Sequence, residues 1–322
     1  MTDQFSMHRL ILTFGILIFS LQLFAWPIEE QVLFTENDST TSTHKKWIKL
    51  GATPTESVLI LLEVLKKSPT AKKNIEHAEM KAAKLGKSLA DLIIPGEHSI
   101  TDTTLIRHFS ASDPLNVTFE TKSVVYLNSD HQIEDALLDL AHELVHFVHK
   151  EAFNPYGEHF DFSDFLDSTL EGKGGEIQAY LHECAVMSEL MRSRFLRDEN
   201  CGRVYFPENS ALSNQRGKSA FYQLGEFKES FLEEIQQFHL NEKSFPFLSS
   251  KEALFISSAY GLPYPLASLK EFKQIMSKVC KNDQERYKYL QRAPSSINNK
   301  LKKDLSRRCS PFLALHDASQ SN

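Results

Sequence analysis

The sequence predicts a mostly helical α+β domain. Three observations carry this reading. Apolar residues recur at helical spacing, with capping signals, from about residue 55 to residue 280. One short stretch, residues 116–128, alternates β-branched and aromatic residues as strands do. No internal repeat and no clean linker divides the chain after residue 48.

The elements follow in order. Residues 10–25, LILTFGILIFSLQLFA, form an apolar run shorter than the ~18–20 residues of a membrane span, ending at the small residue Ala25. It predicts a signal peptide over residues 1–25, with Met7 as an alternative start that leaves a more cationic n-region. Residues 26–47 are polar and rich in Ser and Thr, which predicts a flexible connection. From Thr55, TESVLILLEVLKK reads as a helix; a second opens at Ser68-Pro69, an N-cap followed by a first-turn proline, and ends near Gly86. Pro95-Gly96 marks a turn, and NVTFETKSVVYLN reads as a hairpin of two short strands around Thr121-Lys122.

Ser129 or Asp130 then caps a helix whose apolar stripe, Ile133, Leu137, Leu140, Leu144 and Phe147 or Val148, must face a core. Residues 151–171 read as a loop and Glu176 opens another helix. AFYQLGEFKESFLEEIQQF and SLKEFKQIMSKV read as one helix each. Residues 48–309 are thus expected to form a single domain and residues 310–322 a disordered tail.

Composition narrows the function. A net charge of −6 and a pI near 6.1 exclude a nucleic-acid footprint, which needs a basic domain. Membrane contact is expected only through the N-terminal segment if it is not cleaved. The four cysteines, Cys184, Cys201, Cys280 and Cys309, contain no CxxC pair. In an exported chain they predict a disulfide, and Cys184 with Cys201 and Cys280 with Cys309 is one of three possible pairings. The expected location is secreted or periplasmic.

The chemistry concentrates in DLAHELVHFVHKEA, residues 139–152. His142-Glu143-x-x-His146 places two imidazoles one helical turn apart on a single face, able to hold one Zn2+. Glu143, beside the first ligand, can reach a metal-bound water without being a ligand and act as the general base.

Catalytic zinc sites use three protein ligands and a water. On HELVH the chain resembles the zincin metallopeptidases and, within them, the gluzincins, whose third ligand is a glutamate on a following helix. The longer metzincin motif is absent, since His149 and Ala152 stand where it needs glycine and histidine. The resemblance implies a zincin-like core: a small hairpin or sheet on the HExxH helix and a second ligand helix. It implies Glu176 as third ligand, thirty residues after His146 at a helix start behind two glycines. Glu183, two turns further along that helix, is the competitor; Glu171 and His149 are weaker ones.

In some gluzincins an aspartate stands four residues after the third ligand, and here that position is Tyr180. For the second ring nitrogen of a ligating histidine, Asp139, one turn before His142 on the same stripe, is a candidate partner, with Asp135 and backbone oxygens competing. Tyr156, Tyr180, Tyr222, His239 and Tyr260 are candidates for stabilising the transition state. The expected function is hydrolysis of a peptide or protein substrate. The alternatives are an exported zinc-stabilised binding or structural protein without turnover, and a metal amidase acting on cell-wall peptides.

Overall fold

A computed structural model sets a long histidine-bearing helix between two other helices and a small sheet, and adds a larger helical region rich in phenylalanine. It describes residues 45–110, 116–150, 154–157, 160–206, 211–290, 302–303 and 305–312. The expected signal segment and nearly all of the polar connection lie outside the described residues.

The compact unit begins at Lys45, three residues before the expected boundary. Trp47 fixes that start: it is fully buried, and its indole N–H donates to the Asn128 carbonyl at 2.7 Å. α1 (Pro54–Leu65) opens with a capping box in which Thr53 Oγ1 accepts from Glu56 N and Glu56 Oε2 accepts from Thr53 N. α2 (Pro69–Lys84) is capped by Ser68, and Gly86 leaves it at φ +71°.

β1 (Ile93–Gly96), β2 (Ile100–Phe109) and β3 (Val117–Asn128) form a sheet in the order β1-β3-β2, with β1 parallel and β2 antiparallel to β3. This corrects the expected hairpin within 116–128. β3 runs straight through Thr121 and Lys122, which pair with Leu105 and Thr104 of β2. β2 escaped the sequence reading because ITDTTLIRHF puts polar residues on both faces. It is an edge strand, where such a pattern is tolerated.

α3 (Ile133–His149) carries the HELVH motif. It starts after Gln132 rather than at Ser129 or Asp130, because Asn128 Oδ1 accepts from Asp130 N and holds that stretch in a turn. Its apolar stripe is buried as expected, with Phe147 rather than Val148 in the core. α4 (Phe162–Leu170) lies inside the expected loop: Asp161 caps it, and Phe162, Phe165, Leu166 and Leu170 face one core despite the interspersed acids.

α5 (Glu176–Leu190) packs along α3 and is followed by α6 (Arg192–Phe195) and α7 (Glu199–Val204). Two-stranded β4 (Tyr205–Phe206) and β5 (Ala211–Leu212) lead to α8 (Asn214–Phe221) and α9 (Lys228–Gln236). The single helix expected over residues 220–238 is therefore broken, at Gly225 with φ +55°, a conformation open to glycine and strained for other residues. β6 (Ile256–Ser257) and β7 (Leu262–Pro263) precede α10 (Tyr264–Leu290), which extends the expected helix at both ends. Phe162, Phe165, Phe221, Phe231, Phe272 and Phe312 fill the second core. Burial of Phe312 moves the start of the tail beyond residue 310, because residues 305–312 are helical and packed.

Both disulfides join nearest neighbours along the chain: Cys184–Cys201 ties α5 to α7, and Cys280–Cys309 ties α10 to the last helical run. Two disulfides fit an oxidising compartment. No helix among the described residues is long and apolar enough to cross a membrane.

Candidate metal centre

His142 and His146 lie one turn apart on α3, with ring centroids 4.9 Å apart. Both Nε2 atoms face Glu176 on α5: His142 Nε2 is 3.4 Å from Oε2 and His146 Nε2 is 3.5 Å from Oε1. Among the described residues this is the group of His, Cys and acidic ligand atoms that come together, all within 4.8 Å of one another. Four ligand atoms about 2.0–2.1 Å from a tetrahedral zinc are about 3.3 Å apart, so the two Nε2–carboxylate distances fit one ion with little movement. The residues brought together are thus His142, His146 and Glu176, and they could hold a metal ion.

The other ring nitrogens orient the pair. His142 Nδ1–H donates to Glu183 Oε2 at 3.1 Å, and His146 Nδ1–H donates to the Gly174 carbonyl at 2.8 Å. With Nδ1 committed as donor, each neutral imidazole presents the Nε2 lone pair inward, as a metal needs. Gly174 makes the second contact possible. It has φ +77°, and a Cβ there would come within 2.7 Å of Lys150 N, so the loop can lie directly on the end of α3. Its own N–H donates to Gln178 Oε1 at 2.6 Å.

Burial opposes charge throughout, yet Glu176 and Glu183 together hold the His142 imidazole well above its usual range. His146 and His142 in turn hold Glu176 well below the carboxylate range, against the effect of burial. Glu183 is pushed up by burial, with His142 pulling the other way. The protein groups alone therefore form a buried cluster in which His142 is ion-paired, and a divalent cation would displace its proton on binding.

Glu143 is anchored to the sheet. It is 7% exposed, and its Oε2 accepts from Thr101 Oγ1 on β2 at 2.8 Å. The same hydroxyl lies 2.9 Å from the Glu143 carbonyl, so its one hydrogen is shared between the two. At the start of α10, burial and then the charges of Glu176 and Glu143 hold the Tyr264 phenol well above its usual range, which places Tyr264 against the cluster.

Several expected neighbours lie elsewhere. Asp139 does not orient His142; it accepts from His131 Nε2 at 2.8 Å, while Asp135 pairs with Arg194 at 2.6 Å. Glu183 contacts the outward nitrogen of His142, on the side away from Glu176. His149 stands outside the three-residue group. Of the candidate tyrosines, Tyr156 lies under the Arg107 guanidinium, Tyr180 packs on Phe255 with its hydroxyl towards Cys201, Tyr222 donates to Glu171, and Tyr260 donates to Gln274. His239 closes the turn after α9 at φ 61°. The tyrosine at the cluster, Tyr264, was missed, as was Thr101; each reaches the site from a distant part of the chain, and neither carries a local signal.

In comparisons with known proteins, no family model, curated protein or solved structure matches the chain. The likeness to the zincins therefore rests on these residues and their geometry alone.

Proposed function

We propose that the chain is a zinc-dependent peptidase of the HExxH kind, in which His142, His146 and Glu176 hold the metal and Glu143 is the general base. The observation that carries the reading is the convergence of both Nε2 atoms on one carboxylate at 3.4 and 3.5 Å, with both Nδ1 atoms already engaged as donors. When bound, zinc supplies an acidified water and polarises the scissile carbonyl. The protein's part is to hold the imidazoles in one tautomer, to keep Glu143 fixed by Thr101, and to shield the site by burial. In this reading Tyr264, kept protonated by its surroundings beside Glu176, donates a hydrogen bond to the oxyanion. The apolar run at residues 10–25 and the two disulfides support a secreted or periplasmic setting.

The test pairs metal content with turnover. Glu143→Ala is expected to keep one zinc per chain and to lose hydrolysis of a peptide library by several orders of magnitude. Equal hydrolysis by both proteins sinks the assigned base. A chain that binds zinc tightly and cleaves neither peptides nor cell-wall fragments returns the site to a stabilising role.

A further inference from the structure

The first turns of α10 carry a second acid that the chemistry above leaves unused. Residues four and seven after Tyr264 fall on its side of the helix, which puts Tyr264, Ser268 and Glu271 in one line. Glu271 therefore stands roughly 10 Å along the axis from the tyrosine that abuts Glu176. In an extended peptide that is about three residues, at ~3.3 Å each.

Glu271 is half-buried, and among the described residues its carboxylate forms no hydrogen bond and no ion pair. Glu271 is half-buried rather than sealed, so part of its side chain meets solvent. The charges that act on it are Lys150, at the C-terminal end of α3, and Glu176. Lys150 offsets the charge of Glu271 at a distance without closing a salt bridge. A half-buried carboxylate with no protein partner keeps its full acceptor capacity for a cationic donor.

The surrounding field points the same way. Glu143, Glu176 and Glu183 surround the same site, and Glu176 acts on Glu271 itself, so the neighbouring carboxylates favour a cation there over an anion. Such a field draws cations into the site.

We propose that Glu271 is the specificity-determining acid of this site and binds an alkylammonium or guanidinium group of the substrate, two to three residues from the scissile bond. This rests on the peptidase reading above. The group is either a lysine or arginine side chain or the substrate's amino terminus; both offer N–H donors to a carboxylate.

The test uses the full chain carrying Glu143→Gln and loaded with zinc, so that binding is read without cleavage. N-acetylated, C-amidated peptides with lysine or norleucine at successive positions are compared by calorimetry, beside a norleucine peptide with a free amino terminus. At one position the lysine peptide is expected to bind about 10- to 100-fold more tightly. Adding the isosteric Glu271→Gln removes that difference, and Glu271→Lys reverses it in favour of a glutamate peptide. If instead the free-amine peptide is the one that gains and loses with Glu271, the amino terminus is the cation bound. Equal binding of all the peptides, no binding of any, or a preference that survives Glu271→Gln overturns the proposal. Hydrolysis by the unsubstituted protein is scored separately. A Glu271-dependent preference without hydrolysis removes the peptidase reading and leaves the cation site, and hydrolysis indifferent to Glu271 does the reverse.

Discussion

The Glu183 carboxylate accepts a hydrogen bond from His142 Nδ1 at 3.1 Å, while Glu176, two turns earlier on the same helix, faces the opposite ring nitrogen. One helix thus supplies both a carboxylate of the candidate metal group and the group that orients the first histidine towards it. Losing such an orienting partner typically weakens metal binding about 10- to 100-fold. Glu183→Ala is expected to show that loss in a chelator competition. Glu183→Gln is expected to lose less, since its amide oxygen still accepts from Nδ1–H. Wild-type affinity in the alanine variant would remove Glu183 from this role.

Tyr264 tests the transition state rather than the ground state. Burial and the nearby carboxylates keep its phenol protonated, so it can donate at any working pH. Removing a single oxyanion donor costs about 10²–10³ in kcat. Tyr264→Phe is expected to show a fall of that size with KM and zinc content little changed. A change confined to KM would make Tyr264 a packing or substrate-binding residue.

Gly174 joins backbone geometry to the candidate metal group through His146. An alanine there must adopt φ +77° and place its Cβ 2.7 Å from Lys150 N, a backbone atom with little freedom to move. The conformation alone costs about 1–2 kcal/mol, and relief of the clash pulls the Gly174 carbonyl away from His146 Nδ1. Gly174→Ala is therefore expected to lower both denaturant stability and zinc affinity. Gly202→Ala, where a Cβ meets nothing within 4 Å inside α7, is the control expected to be neutral or mildly stabilising. Equal behaviour of the two variants would remove the close approach from the account.

What could be read from the sequence tracks how local its cause is. The spacing of His142 and His146 and the opening of α5 at Glu176 follow from helical periodicity and a glycine-led helix start, both properties of a few adjacent residues. Which carboxylate meets His142 Nδ1 does not. Asp139 shares the helix stripe with His142, yet it is drawn off by His131, and α5 delivers Glu183 from the neighbouring helix instead. Tyr264 lies between two prolines after a two-stranded turn, and only the packing of α10 brings it to the cluster. β2 was hidden for a related reason: an edge strand with solvent on one side and a half-buried ribbon on the other needs no clean alternation. Helix α4 was obscured by its aspartates, although its four apolar positions have helical spacing.

His182 gives the fold a dependence on acid of its own. It lies on α5 beside Glu183, and its Nε2 is buried without a hydrogen-bond partner. Burial, reinforced by His142 and His149 and opposed by Glu189, lowers its pKa from 6.5 to about 4. Between those two values the unfolded chain takes up a proton that the folded chain refuses, so stability falls as the pH drops from 6.5 towards 4 and levels off below. The full loss from this one group is about 3 kcal/mol. His182→Leu removes the titration while keeping a side chain of similar bulk. Urea unfolding measured in steps from pH 7.5 to pH 4.5 is expected to show a wild-type stability that falls more steeply than that of the variant. The gap between the two curves should grow steadily as the pH drops and stay constant above pH 7. Parallel curves would mean that His182 is protonated in the folded chain, and hence that a partner for its ring nitrogen forms in solution.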